Sequence, residues 1–272
     1  HPVSKGCTCN KAARINYYQN GQDRLNAPLR RRDDGTFEKI SWDTAISEIA
    51  GKLSGIRDEH GGDKILYYGG GGQGNHLGGA HASAVNAALG MRYHSNALAQ
   101  EKTGLMWMNS RMLGGNWHGD FHHCDVGIII GKNPWQSNGM QRARINMRDI
   151  GKDPARTLIV MDPRVTETAE LADIHLAVKP GTDVWCIMAI LGLLTQKDQL
   201  DLEWIEAHTA GYERVLEQLR AVPVERYAEF AGIEMALIER AAEAIAATNR
   251  IAVYEDLGIE MSPYSTLCSY LN

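Results

Sequence analysis

Residues 126–135 read Val-Gly-Ile-Ile-Ile-Gly-Lys-Asn-Pro-Trp, and their reading decides the fold. An apolar run ends in a glycine turn, and a helix-compatible segment follows. The pattern returns at 157–164, where Thr-Leu-Ile-Val-Met runs into Asp162-Pro163-Arg164. Two short apolar runs closed by small or polar residues predict buried strands of a parallel sheet, with a nucleotide at its carboxyl edge.

The pattern extends in both directions. Downstream, strand 174–178 runs into Lys179-Pro180-Gly181-Thr182-Asp183, which opens an apolar helix reaching Thr195. Residues 201–247 read as successive helices, and 250–254 return as a strand. Upstream, Asp33-Asp34-Gly35 marks a hairpin, and Ser41 is an N-cap for a helix over 42–59. Strand 64–68 runs into a glycine cluster and then a small-residue helix over 75–89. Helices are expected over 100–113 and 136–149, with a short one over 167–171. Strands alternating with helices predict an α/β fold with a mainly parallel, Rossmann-like sheet flanked by helices, beside part of a second α/β domain.

Bulk properties narrow the function. The chain has 272 residues, 44% of them hydrophobic and 22% charged, as in an ordinary globular protein. A net charge of -5 gives no electrostatic footprint for nucleic acid. The longest apolar run, Cys186 to Leu194, falls well short of the roughly 20 residues of a membrane span. The first residue is His1, and no basic-then-apolar leader follows. A processed chain or a piece of a longer one is therefore expected, and a cytoplasmic location is favoured. The five cysteines have no framework spacing; Cys186 and Cys268 read as core, and only Cys7-Thr8-Cys9 invites a metal reading.

Three strand tips carry the candidate chemistry. In Gly131-Lys132-Asn133-Pro134-Trp135, the glycine admits an unusual backbone, Asn133 offers amide donors and an acceptor, and the next helix start favours a phosphate. A plain βα turn accounts for the same residues. Asp162 is placed to accept from ribose hydroxyls and Arg164 to fork onto a phosphate, with Pro163 between them. An Asp–Arg pair closing the loop is the alternative. Asp183 reads either as a helix cap or as a carboxylate for both N–H donors of a guanine edge.

The residues resemble a known family, the molybdopterin oxidoreductases of the dimethyl-sulfoxide-reductase type, which include formate dehydrogenases and nitrate reductases. The resemblance runs through Cys9-Asn10-Lys11, 24–29, 40–45, 131–134, 161–169, 172–176 and 179–183. It implies a bis-molybdopterin guanine dinucleotide with Mo or W, held in part by Gly131, Asn133, Pro134, Trp135, Asp162, Pro163, Arg164, Lys179, Gly181, Thr182 and Asp183. It also implies that Cys9 is the last ligand of a [4Fe–4S] cluster in the complete parent and that Lys11 lies on the electron path. Domains follow by the same resemblance: 1–40 as a lead-in from the iron–sulfur domain, 41–100 and 249–272 as part of an interrupted α/β domain, and 101–248 as the inserted dinucleotide-binding domain. Two departures stand out. The upstream cysteines of the cluster motif are absent, and Ala99 occupies the slot of the metal-ligating side chain. Water, Gln100 or Glu101 could substitute, or the chemistry could differ.

Other residues draw the eye. His118, His122, His123 and Cys124 suggest a metal cluster, but their spacing matches no zinc pattern and a polar loop before strand 126–130 accounts for them. His94 is a candidate acid–base group or a packed polar residue. Met106, Trp107, Met108 and Met112, at helical spacing, are expected in the core. The combined reading is a fragment of a formate-dehydrogenase-like oxidoreductase, with a small-molecule substrate, a possible electron-transfer subunit and no membrane span. The alternatives are a non-catalytic nucleotide-binding module lacking the metal ligand and a nicotinamide dehydrogenase, the latter disfavoured because no GxGxxG follows a strand.

Overall fold

Strand Val126–Ile130 buries four of its five residues and sits at the centre of the larger sheet. The computed structural model describes residues 6, 8, 10–69 and 77–272, giving only the backbone of 10, 11, 77–80 and 100. Cys7, Cys9 and most of the 69–72 glycine cluster lie outside the described residues, as does the side chain of Lys11. Two units are formed, one from residues 11–100 and one comprising 1–10 and 101–272.

In the smaller unit, β1 (Leu29–Arg31) and β2 (Phe37–Lys39) form the expected antiparallel hairpin. Arg30 and Arg32 reach Glu38 across it, as a solvated strand face should. Helix Trp42–His60 begins at Ser41, whose hydroxyl accepts from the Thr44 N–H. Strand β3 (Leu66–Tyr68) pairs in parallel with β4 (Tyr93–Ser95), a strand too short and too polar to stand out in the sequence.

In the larger unit, β5 (Val126–Ile130), β6 (Thr157–Met161), β7 (Ile174–Leu176) and β8 (Ile251–Glu255) form one all-parallel sheet in the order β7-β6-β5-β8. This is an α/β architecture of the Rossmann type. Both faces are buried, which is why β5 and β6 read as near-continuous apolar runs. Val126, Ile130, Ile159 and Met161 pack with helices Asp183–Gln196, Val224–Ala231 and Met235–Ala246. Ile129, Leu158 and Val160 face the other way, onto Phe121, Met147 and Ile150. Burying each large side chain stabilises the fold by roughly 1.5–3 kcal/mol. Gly127 faces the second layer, where a Cβ would stand 3.2 Å from Ile150 and 3.4 Å from Phe121. Cys186 and Cys268 are fully buried.

The structure departs from expectation in three places. The helix expected over 136–149 is two pieces, Pro134–Ser137 and Ala143–Ile150. Positive φ at Asn138, Gly139 and Arg142 breaks it. Of the four residues expected in the core of helix Thr103–Met112, only Met108 is buried; Met106, Trp107 and Met112 are exposed. Residues 249–272, expected with the interrupted domain, supply β8 and a helix that packs on Asp183–Gln196. Backbone pairing across five positions of β5 ties that segment to this sheet.

Candidate functional site

Ile130, Met161, Leu176 and Glu255 stand in one register row at the ends of parallel strands. The loops that follow them therefore open on a single edge. Chain order reverses between β5 and β8, the switch point beside which open α/β sheets bind ligands.

The β5 tip is built on Gly131, at φ +60. A Cβ there would stand 2.7 Å from the Ile259 nitrogen and 2.8 Å from the Gly258 Cα. Conformation and close approach both require glycine. Its N–H donates to the Met161 carbonyl and its carbonyl accepts from the Gly258 N–H, each at 2.9 Å.

The polar groups after Gly131 are engaged within the protein, contrary to the expectation of free donors. Asn133 Nδ2 donates to Glu167 at 2.7 Å, and its Oδ1 accepts from the Thr168 hydroxyl at 2.7 Å. Gln136 donates to the other Glu167 oxygen at 2.6 Å. Gln136 first and Asn133 second hold the Glu167 carboxyl down at about 2. Pro134 has no N–H, and the Trp135 N–H donates to Thr168 Oγ1 at 3.2 Å. The helix start here is a single turn with its donors occupied, so it offers no ready phosphate site.

At the β6 tip, Asp162 Oδ1 accepts from the Arg164 backbone N–H at 2.9 Å. His175 Nε2 donates to the Asp162 carbonyl at 2.8 Å. The loop is thus closed by backbone, not by the Arg164 guanidinium, and Pro163 and Arg164 are exposed. After β7, the Lys179 N–H donates to Ala231 at 2.9 Å, and the Thr182 hydroxyl donates to the Lys179 carbonyl at 2.6 Å. Gly181, at φ +81, turns the chain into helix Asp183–Gln196.

Asp183 is the first residue of that helix and is only 5% exposed. Thr182, not Asp183, is the N-cap. Among the described residues no cation pairs with Asp183. Burial pushes its carboxyl above the ordinary range, its own backbone N–H opposes this, and the charge of Asp162 adds to the rise. A buried carboxylate without a cation is costly unless donors meet it. A ligand edge with two N–H groups is one such partner.

Sequence reasoning missed the β8 tip. Lys102 Nζ donates to Asp256 Oδ1 at 2.6 Å and to Glu260 Oε1 at 2.8 Å. Lys132 pairs with the other Asp256 oxygen. Burial pushes the Asp256 carboxyl up, but the two lysines overcome this and hold it below its usual value. The available signal was the acidic pair Glu255-Asp256 ending a fourth strand. Thr168 and Glu167 were missed too, as polar residues in an apparently ordinary loop.

The remaining candidates lie elsewhere. His94 is an exposed residue of β4 in the smaller unit. Glu101 ends the short helix Leu98–Glu101. The 118–124 loop precedes β5 and so lies at the amino edge of the sheet. There Arg156 donates to the Cys124 and Phe121 carbonyls at 2.7 and 2.9 Å, and His123 meets Asp120 at 2.7 Å. Among the described residues no group of three His, Cys, Asp or Glu could hold a metal ion, and no helix is long and apolar enough to cross a membrane.

A parallel sheet in this order, with glycine turns at its carboxyl edge, defines a Rossmann-like α/β domain. Residues 24–212 match the family described as molybdopterin oxidoreductase, and the chain belongs to that family. It is 27% identical to the F420-dependent formate dehydrogenase 1 subunit alpha of Methanococcus maripaludis, over 95% of this chain and 38% of that protein. It is 26% identical to a nitrate reductase of Synechocystis, over 89% of this chain and 34% of that protein. An acetylene hydratase from Pelobacter acetylenicus has the same fold, with a TM-score of 0.81 at 24% identity, covering 100% of this chain and 37% of the other. The chain thus spans under two-fifths of the length of these proteins.

Proposed function

We propose that the carboxyl edge of the β7-β6-β5-β8 sheet cradles the nucleotide end of a molybdopterin guanine dinucleotide, within a protein that moves electrons between a small substrate and Mo or W. The observation that carries this reading is Asp183, a carboxylate 5% exposed with no cation partner among the described residues. Its two oxygens suit the adjacent N–H groups of a guanine edge. Asp162, beside it, keeps Oδ2 for ribose hydroxyls while Oδ1 holds the Arg164 N–H. Exposed Arg164 is placed for a phosphate oxygen. Gly131, packed on Gly258, and Gly181, at positive φ, set the course of their turns, and Asn133, Pro134 and Trp135 fix the first of them. Pro163, Lys179 and Thr182 shape the other two turns.

When bound, the metal–pterin group supplies the two-electron chemistry; the chain's part is to grip and orient it. Cys9 is assigned to a [4Fe–4S] cluster and Lys11 to the electron path, with His94 as a candidate acid–base group. Residues 11–100 are assigned to the interrupted domain and its lead-in. Likeness to formate dehydrogenases favours formate or another small molecule as substrate, with an electron-transfer subunit as partner. Ala99, at the slot of the metal-ligating side chain, favours a second reading, a nucleotide-binding module without turnover.

The test is composition of the full-length protein purified from cells supplied with molybdate or tungstate. The expected result is one metal atom per chain and two guanine nucleotides released by acid. Metal and nucleotide with no formate turnover would favour the second reading. Absence of both, or tight stoichiometric NADH binding, would overturn the first.

A further inference from the structure

The switch point of the sheet lies between the tips of β5 and β8, and there the two loops are bolted together. Gly131 and Gly258 meet backbone to backbone, with the Gly258 N–H donating to the Gly131 carbonyl at 2.9 Å. Beside them Lys132 turns its ammonium to Asp256. The Lys132 side chain passes Gly139, where a Cβ would stand 3.1 Å from Nζ, and its charge lies 5.5 Å from the centre of the Tyr254 ring. Tyr254 in turn donates to the Gly139 carbonyl at 3.3 Å. The segment 131–139 is therefore wrapped around one lysine, and that lysine is anchored by one carboxylate. The Asp256 side chain is only 4% exposed and is fixed from its other side by Lys102 and by the Leu257 N–H.

A free lysine at a strand tip is the obvious partner for a ligand phosphate. Here that ammonium is turned away to a buried anion. We propose that Asp256 is a positioning residue of the dinucleotide cradle: by holding Lys132 it fixes the 131–139 segment in its ligand-ready form and leaves recognition to the carboxylates and backbone of the neighbouring tips. This rests on the cradle reading above. It adds an acid–base pair that touches no ligand and acts through the turn.

The test uses the full-length protein purified free of cofactor, with guanosine diphosphate as probe in equilibrium dialysis and amide hydrogen exchange over 131–139. In Asp256→Asn, which keeps the side chain's shape, those amides are expected to exchange faster and the probe to bind about tenfold more weakly. Lys132→Met is expected to do the same, and the double variant to be no worse than either single one, because both act through one contact. Asp256→Glu is expected to restore part of the binding, which general loosening of the fold would not predict. Should Asp256→Asn prove too unstable to measure, Lys132→Met carries the same comparison. Unchanged exchange over 131–139 would overturn the role of Asp256. So would tighter, salt-sensitive binding in Asp256→Asn, since a released Lys132 would then be a phosphate ligand. A wild-type chain that exchanges slowly but binds no guanosine diphosphate would overturn the cradle, and with it the reason for the lock.

Discussion

Gly131 and Gly258 face each other so closely that a Cβ on Gly258 would stand 2.5 Å from the Cα of Gly131. The contact joins the end of inner strand β5 to that of edge strand β8, and neither residue tolerates a side chain. Gly131→Ala and Gly258→Ala are each expected to cost about 3 kcal/mol, since the neighbours met are backbone and cannot swing aside. Gly131→Ala is expected to be the worse, because positive φ adds about 1 kcal/mol. Urea unfolding of the two variants measures both.

Asp183 sets a pH dependence of known sign. Its folded carboxyl lies above the ordinary value, first through burial and then through Asp162. The unfolded chain therefore loses this proton first, and the contribution of Asp183 to stability falls as pH rises from the ordinary value of 3.8 through the raised folded value. In Asp183→Asn that slope is expected to disappear, with stability at neutral pH unchanged or higher. Guanine nucleotide content of the full-length protein is expected to fall. Denaturation curves across the acid range, together with released nucleotide, check the two halves separately.

Glu167 has the opposite sign. Gln136 and Asn133 hold its carboxyl at about 2, below the ordinary value of 4.5. The tie between the first turn and the 162–168 loop is complete above the unfolded value and is lost as pH falls towards about 2. Side-chain amide resonances of Asn133 and Gln136 are expected to shift with that titration and to be insensitive to it in Glu167→Ala.

Lys102 bridges two carboxylates, Asp256 and Glu260. Lys102→Met would strand Glu260 and leave Asp256 with Lys132 as its cation, and is expected to cost about 3–5 kcal/mol at neutral pH. Part of that loss should return in mild acid, when Glu260 takes up a proton. Thermal melts at neutral and acid pH test the prediction, and an equal loss at both would count against it.

Much of the fold was legible because the sheet is buried on both faces. β5 and β6 are apolar throughout and turn-bounded, and their observed ends coincide with the expected ones. β4 was not legible, since Tyr93-His94-Ser95 carries no apolar alternation. The break in the 136–149 helix hid behind residues compatible with a helix, and the Lys132 packing and positive-φ positions that break it are tertiary facts. The three tips were readable as small or polar residues after apolar runs. What each side chain does there was not. Asn133 looked like a donor to a ligand and is tied to Glu167; Lys132 looked unremarkable and anchors a turn. A local pattern shows that a polar group is present, while its partner is set by residues far along the chain.

β8 comes late. During synthesis β5 leaves the ribosome with one long edge bare, and the strand that covers it is made only at Ile251–Glu255. At ordinary elongation rates that wait is on the order of ten seconds. For that interval an aliphatic strand destined for the middle of a sheet is an open template for any other nascent chain. Arrested or prematurely terminated products ending before Ile251 should therefore be the form of this protein that aggregates and recruits chaperones.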